Sequence, residues 1–387
     1  MAIMKYILPA LAIAGLAVGQ NSCKGPKTLE NQGDANALSS CKKFDGDLII
    51  AAKYPKGEIR LESIQEITGS LIAKGTQNLT ALFAPQLRSI SDTFMLSGAI
   101  ELRTIQCDSL TQVGALNFEA LPNVQQLAFT KGINTAKSVR ISNTDLNNLK
   151  GIELEIVGDM EISNNPHLME ADVAQITNIT GYCSFSANHM DLKISFPRLE
   201  GALNMTFRNA STVDLPSLKK TEGLLGFYSN YFESFYAPNL TSTGDLVFAD
   251  NPAVNNISLP ALETIRGAFQ IANNTDLATI DGVPSLKTIY GALDFTGKIS
   301  KVKLPKLDEV RGEFNLQTTE DLDCNALKAE VRTVGHWTCL PKEKNPQTGT
   351  TPTGGQKPKP SSAGGPLSPS TGMVMLALIG GLISFAL

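Results

Sequence analysis

From residue 46 onward the chain repeats one pattern of apolar and polar positions. Residues 244–251 read GDLVFADN and residues 267–274 read GAFQIANN: a glycine, apolar residues two and four places on, and an asparagine at the seventh place. With the glycine as position zero, the same place is filled by Gly46, Gly69, Asp92, Gly114, Lys137, Gly158, Gly181, Gly201, Gly223, Gly244, Gly267, Gly291 and Gly312, at intervals of 20 to 24 residues. The second and fourth positions are apolar in all thirteen units, from Leu48/Ile50 through Cys183/Phe185 and Leu203/Met205 to Phe314/Leu316. The positions between are mostly polar or small, as in Asp159, Glu161 and Ser163. Alternation with period two predicts a short strand with one buried face. A strand of about five residues cannot cover that face alone, so successive units must stack. The expected fold is an all-β dominated solenoid of about thirteen turns with one parallel sheet face, roughly 60 Å long at ~4.8 Å per turn.

Two further features recur in each lap. Asparagine at the seventh position, as Asn165, Asn188, Asn230, Asn251 and Asn274, can bond local backbone where the strand turns, and stacked copies can bond one another. The Gly201 unit has Arg208 there, with Asn209 beside it. Each lap closes on Pro-x-Leu, beginning at Pro197, Pro216, Pro238, Pro260, Pro284 and Pro305. The proline fixes a turn and the leucine points back inside.

Composition adds limits rather than chemistry. A hydrophobic fraction of 42% is ample for a core, and a net charge of −4 suggests no nucleic-acid partner. The two ends read as processing signals. Residues 1–19 carry Lys5, an apolar run from Tyr6 to Val18 and small residues before Gln20, the layout of a cleaved signal peptide. At the other end Met373–Leu387 is apolar and has no basic flank; fifteen residues are too few to cross a membrane comfortably. Small residues and a Pro/Ser/Gly spacer precede it, the order that directs replacement of the tail by a glycosylphosphatidylinositol (GPI) lipid. Attachment at Ser362 makes residues 363–387 the discarded propeptide, with Ser361 and Ala363 fitting almost as well. Residues 341–362, rich in Pro, Thr, Gly and Ser, read as an extended stalk.

The repeat x-L-x-[LIF]-x-x-N followed by P-x-L, together with the signal peptide, cysteine pairs at both ends and a GPI tail, resembles the fungal GPI-anchored cell-wall organisation proteins, built on receptor-L-domain-type repeats. The resemblance covers essentially the whole chain. It implies a right-handed, leucine-rich-repeat-like β-helix over residues 46–340, a cell-surface location, a role in wall integrity and no established reaction. Asp92 and Lys137 depart from glycine, so the turns there depart from the pattern.

Six cysteines fit an oxidising compartment. Cys23 with Cys41, within an N-terminal cap over residues 20–45, and Cys324 with Cys339 would close the open ends of the coil. Cys107 and Cys183 lie about three turns apart, too far to bridge, and are expected as buried free thiols. Asn-x-Ser/Thr occurs at Asn78, Asn178, Asn204, Asn209, Asn239, Asn256 and Asn273, the expected N-glycosylation sites. Asn204 should point outward from the sheet, and Asn273, beside the asparagine column, should be partly occluded.

Groups that could do chemistry are sparse. His167, His189 and His336 make no metal-ligand spacing beyond His336 to Cys339, which the disulfide absorbs, and no cofactor motif is present. Glycan cleavage needs two carboxylates converging on one sugar. Asp294 with Glu313, on neighbouring turns, is the best acid pair, while Glu161 faces Arg140 as a cross-strand ion pair. The expectation is therefore a non-enzymatic binding module or scaffold, with a hydrolase or transferase on the same coil as the alternative. Its polar strip would be Asn117, Arg140, Glu161, Ser184, Asn204, Gln270, Asp294 and Asn315. The cluster FYSNYFESFY from Phe227 to Tyr236 reads either as sugar-stacking rings or as core filling. The expected partners are the membrane through the lipid, and wall polysaccharide or wall-biogenesis proteins.

Overall fold

A computed structural model describes residues 23–349. The signal segment 1–19, Ser362, the propeptide 363–387 and the second unit into which the chain divides, Thr353–Leu387, lie outside the described residues. Within them, each lap contributes one rung to a long parallel sheet. The rungs are β1 (Lys27–Leu29), β2 (Leu48–Ile50), β3 (Leu71–Lys74), β4 (Ser89–Ser97), β5 (Gln112–Leu121), β6 (Ser138–Thr144), β7 (Asp159–Ser163), β8 (Asn178–Ser186), β9 (Gly201–Arg208), β10 (Leu225–Tyr228), β11 (Leu246–Ala249), β12 (Phe269–Ala272), β13 (Leu293–Gly297), β14 (Phe314–Thr318) and β15 (Trp337–Leu340). The thirteen units of the sequence are β2 to β14. The end segments supply β1, which pairs with β2, and β15, which pairs with β14. Fifteen rungs therefore make fourteen laps, one more than the repeat count.

Register follows the apolar column. Leu48 lies opposite Leu71, which lies opposite Phe94, and the alignment continues without a slip through Leu116, Val139 and Met160 to Phe314. The inward residues are buried at every rung from β2 to β14, with one correction to the sequence reading. In β9 the inward pair is Met205 and Phe207, not Leu203 and Met205: Cys183 faces Met205, and Leu203 is 40% exposed. Gly201 pairs instead with Asn178 and Lys220 in the two-residue strand that leads into each rung, so position zero of that lap is Leu203. Asn204 consequently moves to the edge column of the sheet, Thr206 takes its central place, and Ala210 rather than Arg208 stands in the asparagine column.

Three side-chain and backbone devices hold one lap to the next. The asparagines form a buried ladder. Asn251 Nδ2 donates to Phe227 O of the previous lap (3.1 Å), and its Oδ1 accepts from Asn230 N (2.9 Å) and Asn230 Nδ2 (3.0 Å). Asn274 does the same for Asn251, and Asn188 for Asn165. The residue just before this column has positive φ in lap after lap: Asn143, Asn164, Ala187, Asn209, Ser229, Asp250 and Asn273 all lie between 51° and 58°. A left-handed residue turns the chain so that the asparagine enters the core, and Asn and Asp tolerate that conformation better than other non-glycine residues.

The third device explains the glycine at position zero. One place after it, an acceptor side chain reaches up to the backbone N–H of the next lap: Asp47 to Ser70, Asp159 to Tyr182, Asn204 to Leu224 and Asp245 to Ala268. That side chain lies over the next position zero. A Cβ on Gly267 would sit 2.0 Å from Asp245 Oδ1, and one on Gly244 2.5 Å from the carbonyl oxygen of Gly223. Close approach therefore selects glycine there, joined at Gly46 alone by a positive φ of 120°.

Inside the coil Phe185, Phe207, Phe227 and Phe248 stack from lap to lap, with centroids 6.2, 5.5 and 4.7 Å apart. The Pro-x-Leu leucines, Leu199 through Leu307, are buried in the same core. Opposite the main sheet run short strands in separate small sheets, including Gly57–Arg60 with Leu79–Phe83 and Thr104–Gln106, and Glu170–Asp172 with Lys193–Ser195 and Thr212–Asp214. At the ends, Cys23 is bonded to Cys41 with Cα atoms 5.5 Å apart, and Cys324 to Cys339 at 5.9 Å. Short helices, α1 (Gln32–Asn36) behind an Asn31 capping box and α2 (Cys324–Glu330) capped by Asp323, lie in these segments, and Trp337 stacks on Phe314 at 3.8 Å. Residues 341–349, the first part of the segment read as an extended stalk, lie against the coil, where Lys342 N donates to Glu320 O and Glu343 N to Thr318 O.

Three outcomes follow from this packing. Asn251→Ala leaves Asn230 N–H unpaired in the core and removes the second donor from Phe227 C=O, and should cost about 1–3 kcal/mol, read as a lower urea midpoint at constant slope. Gly244→Ala should cost roughly 1–3 kcal/mol by driving a Cβ into backbone, whereas Gly201→Ala, whose Cβ meets only Asn178 Oδ1 at 3.1 Å, should cost well under half as much in the same measurement. Cys107 and Cys183 are free and buried, and burial pushes both thiols above their ordinary pKa. Native protein should therefore resist maleimide even at pH 9, while the urea-unfolded chain gains two labels.

Candidate functional site

The outer face of the main sheet presents three columns of side chains, one, three and five places after position zero. The register aligns the central column as Ile49, Ile72, Met95, Asn117, Arg140, Glu161, Ser184, Thr206, Gly226, Val247, Gln270, Asp294 and Asn315. The expected polar strip is thus present with Thr206 in place of Asn204. It is preceded by an apolar stretch and interrupted by Gly226 and Val247.

Two clusters stand out on this face. In the first, Arg140 Nη2 donates to Glu161 Oε2 at 2.5 Å across adjacent rungs, and Tyr182 Oη donates to the same oxygen at 3.4 Å. Asp159, in the neighbouring edge column, accepts from Tyr182 N (3.0 Å), which holds the tyrosine backbone in place. Burial, with the Glu161 charge second, raises the Tyr182 hydroxyl above the ordinary tyrosine value, so it stays a donor throughout the physiological range. The residue remains 41% exposed. Serines and threonines on the adjoining rungs, Ser138, Ser184, Ser186 and Thr206, make the surroundings rich in hydroxyls.

The second cluster contains the acid pair. Asp294 is 6% exposed and fully engaged: Oδ2 accepts from Gln270 Nε2 (3.0 Å), and Oδ1 from Asn315 Nδ2 (2.7 Å) and Gly349 N (3.2 Å). Glu313 lies opposite Ala292, on the diagonal that the sequence indicates. The hollow between them, closed on one side by Gly349, holds about 10 Å³, room for at most one water. No sugar ring can enter between these two carboxylates as they stand.

The remaining candidates are dispersed. The aromatic cluster divides by residue type: Phe227, Phe232 and Phe235 fill the core, while Tyr231 and Tyr236 are exposed and the Tyr228 ring lies over Gly226 with the Arg208 guanidinium 4.1 Å from its centroid. His167 contacts Asp145, and His189 Nδ1 accepts from Asp191 N (3.0 Å). Among the described residues no group of three or more His, Cys, Asp or Glu is placed to hold a metal ion. Where the small opposite sheets are interrupted, a cleft of about 870 Å³ opens between Phe129, Lys131, Lys150, Glu153 and Glu170. Asn78, Asn178, Asn239, Asn256 and Asn273 are exposed, Asn273 more so than expected, and Asn204 and Asn209 are half-buried.

Residues 1–39 match the family described as Ecm33, GPI-anchored cell wall organization protein. Over 390 aligned residues, 100% of both chains, the sequence is 49% identical to a cell surface GPI-anchored protein of Arthroderma benhamiae. It is 41% identical over 353 residues to protein ecm33 of Aspergillus fumigatus, covering 90% of this chain and 88% of that one. To sporulation-specific protein 2 of Saccharomyces cerevisiae it is 28% identical over 293 residues, 74% of this chain and 57% of the relative. No solved structure matches the chain. With a stacked coil closed by disulfides at both ends, and with near-half identity along its entire length, the chain belongs to the fungal family of GPI-anchored cell-wall organisation proteins that act at the cell surface.

Proposed function

We propose that the protein is a non-catalytic scaffold of the fungal wall, held at the membrane by a GPI lipid on Ser362, and that the outer sheet face from β5 to β9 binds neutral wall polysaccharide. The observation that carries this reading is the Arg140–Glu161–Tyr182 cluster. An exposed ring can stack on a sugar face, while a guanidinium and a carboxylate on adjacent rungs offer donors and an acceptor to its hydroxyls. The hydroxyl-bearing columns continue along the stack, so a linear polymer lying parallel to the coil axis meets the same kind of surface at each rung.

Catalysis is the less supported alternative because Glu161 is engaged by Arg140, Asp159 by Tyr182 N and Asp294 by three N–H groups, and the hollow between Asp294 and Glu313 admits no sugar ring. Of the seven glycan acceptors, Asn204 stands in the edge column of the sheet face and Asn178 at the start of β8. Sugar on Asn78, Asn178, Asn209, Asn239, Asn256 and Asn273 would leave most of the face open.

The test incubates purified protein with insoluble β-glucan, chitin and mannan, and follows both retention and new reducing ends. Retention on one polymer with no new reducing ends is expected, and Tyr182→Ala should weaken it about three- to tenfold with an unchanged circular dichroism spectrum. New reducing ends made by the native but not by the boiled protein would replace the scaffold reading with the hydrolase.

A further inference from the structure

Residues 345–349 contain no apolar side chain except Pro346, yet they lie across β13 and β14 on the outer sheet face. The contacts are made by their main chain. Gln347 N donates to Gln317 Oε1 (2.9 Å), Gln347 O accepts from Asn315 Nδ2 (3.1 Å), and Gly349 N donates to Asp294 Oδ1 (3.2 Å). Residues two apart in an extended chain direct their N–H groups to the same side. The acceptors Gln317 and Asp294 are spaced to meet that repeat, with the Asn315 amide between them as donor. The three side chains are set by one another before the segment arrives: Gln317 Nε2 donates to Asn315 Oδ1 (3.0 Å), Asn315 Nδ2 to Asp294 Oδ1 (2.7 Å), and Gln270 Nε2 to Asp294 Oδ2 (3.0 Å). Asp294 and Asn315 are both nearly buried, and among the described residues Asp294 has no cation partner, so amide N–H groups alone satisfy its charge.

The geometry points to Asp294, Asn315 and Gln317 as a binding site for extended polypeptide main chain, with residues 345–349 as its resident occupant in cis. The segment is a strap. It follows the disulfide cap, begins at the Lys342 and Glu343 backbone contacts to Glu320 and Thr318, and pins the start of the stalk onto the sheet. Recognition through main-chain groups places no demand on side chains, which is how a Pro/Thr/Gly-rich sequence can dock. A Cβ at position 349 would lie 3.4 Å from Asn315 Cβ, an ordinary contact, so the segment passes directly over that side chain. The strap covers the C-terminal end of the polar strip and confines any ligand of the face to the rungs before it. This assignment does not depend on the ligand proposed above.

The same closeness supplies a test, because Cβ atoms about 3.5–4.5 Å apart are at disulfide distance. In full-length protein purified from cells, the pair Asn315→Cys with Gly349→Cys should form a cross-link under mild oxidation, whereas Thr206→Cys with Gly349→Cys should not. Hydrogen exchange on the unmodified protein supplies a second measurement: the Gln347 and Gly349 amides should exchange at least about tenfold more slowly than that of Thr348, and this protection should be lost in Asn315→Ala/Gln317→Ala. Absence of the cross-link together with equal exchange at residues 347, 348 and 349 in the wild type would overturn the strap, whatever polysaccharide the protein retains.

Discussion

Every other feature of this molecule depends on register. A rung has its backbone groups satisfied only by the rungs before and after it, and its inward side chains must meet the same kind of surface one lap later. A one-residue slip would turn a whole apolar column outward. The asparagine ladder enforces this more strictly than hydrophobic matching does, because a buried amide must find both a carbonyl one lap back and a donor to its own oxygen. The left-handed residue before it and the acceptor after position zero set the same alignment from the two ends of the rung. Variation in lap length is absorbed elsewhere, in the turns and the short opposite strands.

That division explains what could be read from the chain. The strand positions, the Pro-x-Leu turns and the buried state of Cys107 and Cys183 are legible because each is a repeated or isolated apolar signal. Gly201 misleads because a glycine at nearly the right interval looks like position zero, although it belongs to the lead-in strand; Leu203, which fills the true place, carries no mark of its role. The acceptor column was visible as Asp47, Asp159, Asn204 and Asp245, but its meaning depends on a neighbour some twenty residues away that only stacking brings within reach. Phe and Tyr in the 227–236 cluster separate by whether a hydroxyl must be solvated, which periodicity alone does not decide. The strap leaves no sequence signal at all, since its contacts are made by main chain.

The same architecture shapes what the surface can offer. A parallel stack presents a face on which chemistry changes slowly from rung to rung, from Ile49, Ile72 and Met95 through the Arg140–Glu161–Tyr182 cluster to the amide-rich end at Asp294. Such a face lacks a deep enclosed site; it suits extended partners that touch many laps weakly.

The six cysteines add a point about biogenesis. The four that bridge do so across only 18 and 15 residues, so both loops are cheap to close before any lap has formed. The two that remain are protected by nothing except the stacking of the middle laps. In the oxidising lumen through which a secreted chain passes, a coil that winds wrongly at its centre exposes a reactive sulfur, and an error of packing becomes a covalent one that disulfide exchange machinery can detect.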